Sequence, residues 1–151
     1  IIKSVNSGTL YQDFNSYKIS KSEIKLVSEK KSYNKIIDDL IFAYKVAKHV
    51  KSNAVVLANN KQTLGIGAGQ MSRVDSTKIA IMKYKQFFKH RSFVCASDAF
   101  FPFIDNIQRL SKLECSGIIQ PSGSINDKKI ISYANKKNIS LYFVKNRVFK
   151  H

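Results

Sequence analysis

Short apolar segments alternate with amphipathic helical segments along most of this chain, and this alternation constrains its fold more than any other feature. Residues 33–50 place their apolar side chains on one helical stripe, as an amphipathic helix does. Residues 54–58 follow as a continuous apolar run, which is typical of a strand buried on both faces. The same order recurs to the C-terminus, so the sequence predicts an α/β layer structure with a mixed, mostly parallel sheet covered by helices.

The remaining segments extend this pattern. Asn59-Asn60 predicts a turn that joins residues 54–58 to a hairpin partner at residues 63–66. Further strands are predicted at 93–96, 117–120 and 139–144, and further helices at 72–88, from Asp105 onward, and at 126–137. We therefore predict one domain, in which residues 1–30 form an extended lead-in and residues 31–151 form the α/β subdomain.

The length of the chain and its cysteines limit the classes of protein to which it can belong. A chain of 151 residues can bury a sizeable core without disulfides. No apolar run approaches the ~20 residues that span a bilayer, and the first residues show no signal-peptide pattern. Cys95 and Cys115 lie far apart and form no CxxC motif, which predicts buried free thiols in a reducing compartment. We expect a cytoplasmic protein without membrane contact, and the missing initiator methionine suggests a fragment.

The net charge of +16 raises the question of a nucleic-acid partner. Only four of the 26 basic residues are arginine, and the lysines are spread through the chain. Proteins that read bases or clamp phosphates favour arginine and cluster their charge. The composition therefore favours a solvated lysine-coated surface, and a non-catalytic basic nucleic-acid-binding module stays open as the alternative. Because arginine is scarce, each arginine is a candidate for a specific role.

A glycine-rich segment, residues 65–73 (GIGAGQMSR), joins a predicted strand to a predicted helix. Its spacing is G-x-G-x-G, which matches neither the dinucleotide fingerprint nor a P-loop. Glycines at this position permit either a tight strand-to-helix turn or an anion site at the helix start. Arg73 begins the helix and would add a charged fork to the loop, so it favours the anion site.

An aromatic segment, residues 97–103 (SDAFFPF), follows the predicted strand at 93–96. It should therefore lie at the carboxyl edge of the sheet, where α/β proteins bind ligands. Its phenylalanines could wall a flat aromatic ligand. A corner of the core, with Asp105 capping the next helix, is the alternative that composition favours.

The C-terminal residues 145–151 (KNRVFKH) follow the last predicted strand directly. They either form a solvated basic tail or fold back over the edge of the sheet. The chain has three histidines, at positions 49, 90 and 151, and their spacing matches no metal site.

Taken together and in this order, these segments resemble the C-terminal part of the AICAR transformylase/IMP cyclohydrolase family. The resemblance covers essentially the whole chain, since the early residues 4–8 and Gln12-Asp13 also fit. The segments that carry it are KSNA at 51–54, GIGAGQMSR at 65–73, SDAFFPF at 97–103, QPSGS at 120–124 and R-x-F-x-H at 147–151.

The resemblance implies a fold and an activity. The fold would be a cytidine-deaminase-like three-layer subdomain, the second of two in the transformylase domain. The activity would be formyl transfer from 10-formyltetrahydrofolate, the co-substrate, to the amine of AICAR, giving FAICAR in purine biosynthesis. A separate N-terminal domain of the family closes FAICAR to IMP. Family enzymes are homodimers with transformylase sites at the subunit interface, so the expected partners are a second copy and the missing N-terminal half.

The resemblance also assigns residues by matching motif. Asn53, Asp105 and His151 would be catalytic-site residues. Potassium, bound by some family members, would lie near Ser52 and Asp98. The residues that would bind the nucleotide and folate are Arg73, Phe100, Phe101, Asn106 and Arg147.

Two departures from the family pattern matter. Ile104 stands where the family usually has an arginine, which removes a charge beside Asp105. The family motif Lys-His-x-x-P-x-G is absent, since neither Lys48-His49, Lys89-His90 nor Lys150-His151 is followed by the proline and glycine. We therefore expect the proton-transfer pair to lie in the missing N-terminal half and this chain to be inactive alone.

Overall fold

The computed structural model describes residues 2–13, 16–88 and 91–151, and the Lys89-His90 pair falls outside them. Two helices were predicted closely: 33–50, with its long apolar stripe, corresponds to the first helix, and 72–88 corresponds to the second. The helices are α1 (Asn34–His49), α2 (Arg73–Phe87), α3 (Asp105–Leu110) and α4 (Asp127–Lys136), preceded by a short 3₁₀ turn at Lys21–Glu23. The strands are β1 (Ile2–Val5), β2 (Gly8–Tyr11), β3 (Lys25–Leu26), β4 (Val55–Asn59), β5 (Gln62–Gly67), β6 (Phe93–Ser97), β7 (Cys115–Pro121) and β8 (Ser140–Val144).

The main sheet has the order β3-β8-β7-β6-β4-β5. Strands β6, β7 and β8 are parallel, and β4 is antiparallel to both β6 and β5. Because β5 and β6 both oppose β4, four of the six strands (β5, β6, β7 and β8) run in one direction. The predicted mixed, mostly parallel sheet is therefore confirmed in the described part of the chain.

Helices cover both faces of this sheet and make three layers. Successive side chains of a strand point to opposite faces, so Val55 and Leu57 face one core while Val56 and Ala58 face the other. The first core, which we call the α2–α4 core, lies against helices α2, α3 and α4. The second, the α1 core, lies against α1 and also buries Ile19 from the lead-in.

The lead-in is more ordered than the sequence predicted. Strands β1 and β2 form an exposed antiparallel hairpin that the sequence did not indicate, because strands of four residues carry little periodic signal. Strand β3 adds an antiparallel edge strand beside β8. The described part of the lead-in thus contributes one strand to the sheet of the subdomain.

Both cysteines are free and buried, as the sequence predicted. Burial raises the pKa of the Cys115 thiol to about 12, and it also raises that of Cys95. The thiols are therefore protonated at neutral pH and serve as small apolar groups. None of the helices in residues 2–13, 16–88 and 91–151 has the length and apolar character needed to cross a membrane.

Gly65 and Gly67 allow helix α2 to lie close against β5. A Cβ atom at Gly67 would collide with the backbone carbonyl of Ser76, and one at Gly65 would collide with that of Ala80. Both obstacles are helix backbone atoms, so relieving the collision requires α2 itself to move. These two glycines therefore have a packing role.

Replacing Gly67 with alanine should lower the free energy of unfolding by about 3 kcal/mol, because the added methyl group overpacks the contact between α2 and β5. The measurement is urea denaturation of the 151-residue chain. Gly8→Ala is the matched control, since no atom lies within 4 Å of a Cβ built there. Equal unfolding free energies for the two variants would contradict the packing role of Gly67.

Candidate active site

The direction of the strands brings the predicted site segments to one edge of the sheet. Strands β5, β6 and β8 run in the same direction, so the segments that follow Gly67, Ser97 and Val144 leave the sheet at the same edge. Strand β4 runs the opposite way and begins at this edge, which adds Ser52 and Asn53. The fold therefore brings four separate segments of the chain together at one edge of the sheet.

Arg73 joins three of these segments. It is the first residue of α2, and its side chain is only 10% exposed. Its Nη2 donates to Asn53 Oδ1 at 2.7 Å and to Asp98 Oδ1 at 3.0 Å. Its Nη1 donates to the backbone carbonyl of Phe100 at 3.3 Å. The guanidinium thus links the loop before β4 to the loop after β6.

Asn53 is held in one orientation by its partners. Its Oδ1 accepts from Arg73, while its Nδ2 donates to the carbonyls of Gln70 at 2.9 Å and Met71 at 3.3 Å. The Ser76 hydroxyl donates to the Asn53 carbonyl at 2.8 Å. Because Nδ2 can only donate and Oδ1 can only accept, these contacts fix which end of the amide faces Arg73.

The glycine segment serves this arrangement through packing and turn formation. Gly69 has φ +65, a left-handed conformation that glycine adopts without strain. Its N–H donates to the Lys51 carbonyl at 2.8 Å, so that donor is not directed at an anion. Of the two alternatives raised by the sequence, the structure supports the tight turn as the role of Gly69.

Asp98 is fully buried and connects β6 to both the β4 entry and the C-terminal residues. Its N–H donates to the Ala54 carbonyl at 3.2 Å, and its carbonyl accepts from the Val148 N–H at 3.0 Å. One carboxylate oxygen, Oδ1, is bonded to Arg73. The other, Oδ2, is buried without a hydrogen-bond partner among the described residues.

The C-terminal residues fold back over the edge of the sheet. Val148 is fully buried in the α1 core. The Ser52 N–H donates to the Lys150 carbonyl at 2.9 Å, and the Lys150 N–H donates to Ser52 Oγ at 3.0 Å. These bonds, together with the bond between Val148 and Asp98, hold residues 147–151 beside the other three segments.

Arg147 is exposed, and its guanidinium carbon lies 4.6 Å above the centre of the Phe100 ring. This distance is within the range of a cation–π contact. In the described part of the chain, Arg147 forms no ion pair with a carboxylate. Its charge is therefore held in place by an aromatic ring and remains available to an anion.

The two phenylalanines predicted to line the site have different surroundings. Phe100 is half-buried beneath Arg147. Phe101 is fully buried in the α2–α4 core, and its N–H donates to Gln120 Oε1 at 3.1 Å. Only Phe100 is thus open to a ligand in this arrangement, while Phe101 anchors the loop.

Helix α3 begins with two further residues that the sequence assigned to the site. Asp105 is half-buried in its first turn, and its Oδ1 accepts the Asn106 N–H at 2.9 Å. Asn106 itself is 1% exposed. His151 is exposed at the end of the chain, where its N–H donates to Gln12 Oε1 at 3.4 Å and its ring lies 5.5 Å from that of Phe149.

Direct contacts link many of the predicted residues, and they include some that sequence analysis missed. Asn53, Arg73 and Asp98 form one bonded group. Arg73 of this group donates a hydrogen bond to the backbone carbonyl of Phe100, and the Phe100 ring in turn contacts the guanidinium of Arg147. Sequence analysis named Gln12 and Gln120 only as motif positions and missed Ser76 and Thr77, and the contacts of all four join positions far apart in the sequence. The signal for Ser76 and Thr77 was their position three and four residues after Arg73 on α2.

Within the described residues, no group of three or more histidine, cysteine and acidic side chains could hold a metal ion. Acidic side chains are few at the site, where Asp98 already balances Arg73. Arg147 and Lys150 add exposed positive charge. The arrangement can therefore receive a planar anionic ligand, with the cation at Arg147, an aromatic face at Phe100 and amide groups nearby.

Replacing Asp98 with asparagine should lower the free energy of unfolding by about 3 kcal/mol, because the Arg73 guanidinium would then be buried without a counter-charge. Chemical denaturation of the chain measures this change. Asp38→Asn provides the control, since the Lys21–Asp38 pair is exposed to solvent and should contribute little. Similar effects of the two substitutions would contradict the importance of the buried pair.

Comparison with known proteins identifies the chain's relatives. The family model described as AICARFT/IMPCHase bienzyme matches residues 1–83. The chain is 47% identical over 150 residues to the bifunctional purine biosynthesis protein PurH of Wigglesworthia glossinidia brevipalpis. It is 46% identical over 151 residues to the PurH proteins of Buchnera aphidicola and Aquifex aeolicus. These alignments cover 99% of this chain but only 28–29% of the relatives.

Proposed function

Because this chain belongs to the AICARFT/IMPCHase bienzyme family, we propose that it is a segment of an enzyme of purine biosynthesis that transfers a formyl group from 10-formyltetrahydrofolate to AICAR, giving FAICAR. The complete enzyme would also carry IMP cyclohydrolase activity. The chain spans less than a third of the length of its relatives, so these activities belong to the larger protein. The segment would be a cytidine-deaminase-like subdomain of the transformylase, which would act as a homodimer.

The observation that carries the proposal is the exposed Arg147 guanidinium held on the Phe100 ring. AICAR combines a phosphate with a flat, amide-bearing ring. Arg147 would bind the phosphate and Phe100 would contact the ring, with Asn53 and Arg73 behind it. The Arg73 Nε is a buried donor without a partner among the described residues.

The chemistry requires positioning, proton transfer and charge stabilisation. The amine of AICAR is conjugated with its ring and is a poor nucleophile, so it must be held against the formyl carbon. The oxyanion formed by the attack needs hydrogen-bond donors or positive charge. Asp105 and His151 would lie at the reacting end of the site, and the folate would bind on the α3 side beside Asn106.

The proton-transfer pair would come from the part of the enzyme outside this segment. Lys48 and His49 end helix α1 and line a cavity that also includes Tyr17 and Tyr44. That cavity does not include Asn53, Arg73 or Asp105, which supports the assignment of the Lys-His-x-x-P-x-G motif to another part of the enzyme. We therefore propose that the chain alone does not catalyse formyl transfer.

A potassium ion near Ser52 and Asp98 would have a suitable oxygen ligand in the Asp98 carboxylate. The buried Asp98 Oδ2 has no hydrogen-bond partner in the described part of the chain, and a carboxylate oxygen left in this state favours a nearby cation. Alkali cations in proteins bind to oxygen atoms. Asp98 and the Ser52 hydroxyl would hold the ion, which would supply positive charge beside the C-terminal residues.

Replacing Arg147 with alanine in the complete enzyme should raise the KM for AICAR about 30-fold, because a charge-assisted fork to the phosphate is lost. Steady-state formyl transfer at varied AICAR concentration measures this. The KM for 10-formyltetrahydrofolate should change little.

Arg91→Ala is the matched control, since Arg91 is exposed before the start of β6, at the opposite edge of the sheet, and its guanidinium carbon lies 5.8 Å from the centre of the Phe88 ring. An unchanged KM for AICAR in the Arg147→Ala enzyme would refute the assignment of Arg147 to the nucleotide. An equal effect of both substitutions would attribute the change to overall charge.

A further inference from the structure

A buried line of polar side chains lies behind Asp105. Thr77, on α2, is fully buried, and Asn106, on α3, is 1% exposed. The Thr77 Oγ1 is 2.7 Å from Asn106 Oδ1, and the Asn106 Nδ2 is 3.2 Å from Asp105 Oδ1. A buried polar group without a hydrogen-bond partner lowers the stability of the folded state. Loss of one of these contacts would therefore destabilise the other side chains in the line.

The two ends of the Asn106 amide are distinguished by their partners. An ionised Asp105 carboxylate only accepts hydrogen bonds, so the amide NH₂ must face it. The amide oxygen then faces Thr77, whose hydroxyl supplies the donor. If the amide turned over, its oxygen would face the carboxylate and its NH₂ would face the hydroxyl. The flipped amide would place two acceptors, its own oxygen and the carboxylate, against each other, so the carboxylate excludes that orientation. The Thr77 hydroxyl stabilises the remaining orientation by donating to the amide oxygen.

Asn106 is the source of both donors that Asp105 receives in the described part of the chain. Its backbone N–H and its side-chain NH₂ both reach Asp105 Oδ1, at 2.9 and 3.2 Å. Ile104, on the other side of Asp105, packs against the α2–α4 core, and its side chain has no polar atom that could donate to the carboxylate. The position of the carboxylate thus depends on Asn106 more than on any other described residue.

Thr77 also connects this line to the nucleotide side of the site. Its Oγ1 lies 3.0 Å from the Arg73 carbonyl, one turn earlier on α2, and 2.7 Å from Asn106 Oδ1. The single hydroxyl proton is therefore shared between two acceptors, of which Asn106 Oδ1 is the nearer. The helix that begins with Arg73 therefore carries, four residues later, the group that orients Asn106. Any shift of α2 would move the arginine and the support of Asp105 together.

We propose that Thr77 and Asn106 are positioning residues: the Thr77 hydroxyl orients the Asn106 amide, and the amide holds the Asp105 carboxylate towards the reacting groups. The consequence for catalysis rests on the proposed function. The orientation of the amide is a property of the chain itself, so it can be tested without the reaction.

The test in the complete enzyme compares Thr77→Val, which keeps the shape and removes the hydroxyl, with Thr77→Ser, which keeps the hydroxyl. Thr77→Val should lower kcat about tenfold, because Asp105 loses its support, and leave the KM for AICAR within about twofold. Thr77→Ser should retain most of the activity. Thr63→Val, at the far end of β5 from the site, controls for the loss of a threonine hydroxyl elsewhere.

A wild-type kcat in Thr77→Val, or equal losses in Thr77→Val and Thr77→Ser, would overturn the proposal. A rise in the KM for AICAR with unchanged kcat would also overturn it, since that result would assign Thr77 to nucleotide binding.

The second measurement uses NMR on the 151-residue chain and needs no activity. The side-chain NH₂ of Asn106 should exchange with solvent more slowly than that of the exposed Asn60, and Thr77→Val should remove the protection. Equal exchange at Asn106 and Asn60 in the unsubstituted chain would overturn the proposal even if the variants failed to fold. An enzyme without formyl transfer but with a protected Asn106 would refute the proposed function and support the orientation of the amide.

Discussion

The buried ion pair between Arg73 and Asp98 is the interaction on which the rest of the site depends. Asp98 is fully buried, and its Oδ1 lies 3.0 Å from the Arg73 Nη2. Either charge alone would be strongly unfavourable in this position, so each residue requires the other. Arg73 also bonds to Asn53 and to the Phe100 carbonyl, and one buried carboxylate therefore determines the relative positions of three loops.

The sheet makes this pairing possible, and the C-terminal residues complete it. Because β4 opposes β5 and β6, the start of β4 meets the ends of its neighbours at one edge. The Val148 N–H bonds to the Asp98 carbonyl, which places Arg147 above Phe100. The exposed guanidinium of Arg147 is thus positioned through a backbone hydrogen bond between its neighbour Val148 and the buried Asp98. Scattered lysines explain the high charge of the chain, whereas two of its four arginines lie at the site.

The sequence predicted most of the fold, and its motifs named several residues that the structure brings together, but it did not reveal the contacts between them. The helix at 33–50 and the strand at 54–58 have strong apolar patterns, and both are present. The hairpin of β1 and β2 was missed because its short strands lack such a pattern. Motifs indicated Asn53, Arg73 and Arg147, whereas the contact between Thr77 and Asn106 depends on how α2 packs beside α3. The burial of Phe101 likewise follows from packing that composition does not reveal.

We propose that this segment supplies the nucleotide pocket and that the proton-transfer pair lies elsewhere in the enzyme. The most direct test is calorimetric titration of the 151-residue chain with AICAR, followed by an assay of the same sample with 10-formyltetrahydrofolate. We expect saturable AICAR binding that Arg147→Ala weakens, together with formyl transfer no faster than the background reaction. Robust turnover by the isolated chain, or no AICAR binding by the folded chain, would contradict this proposal.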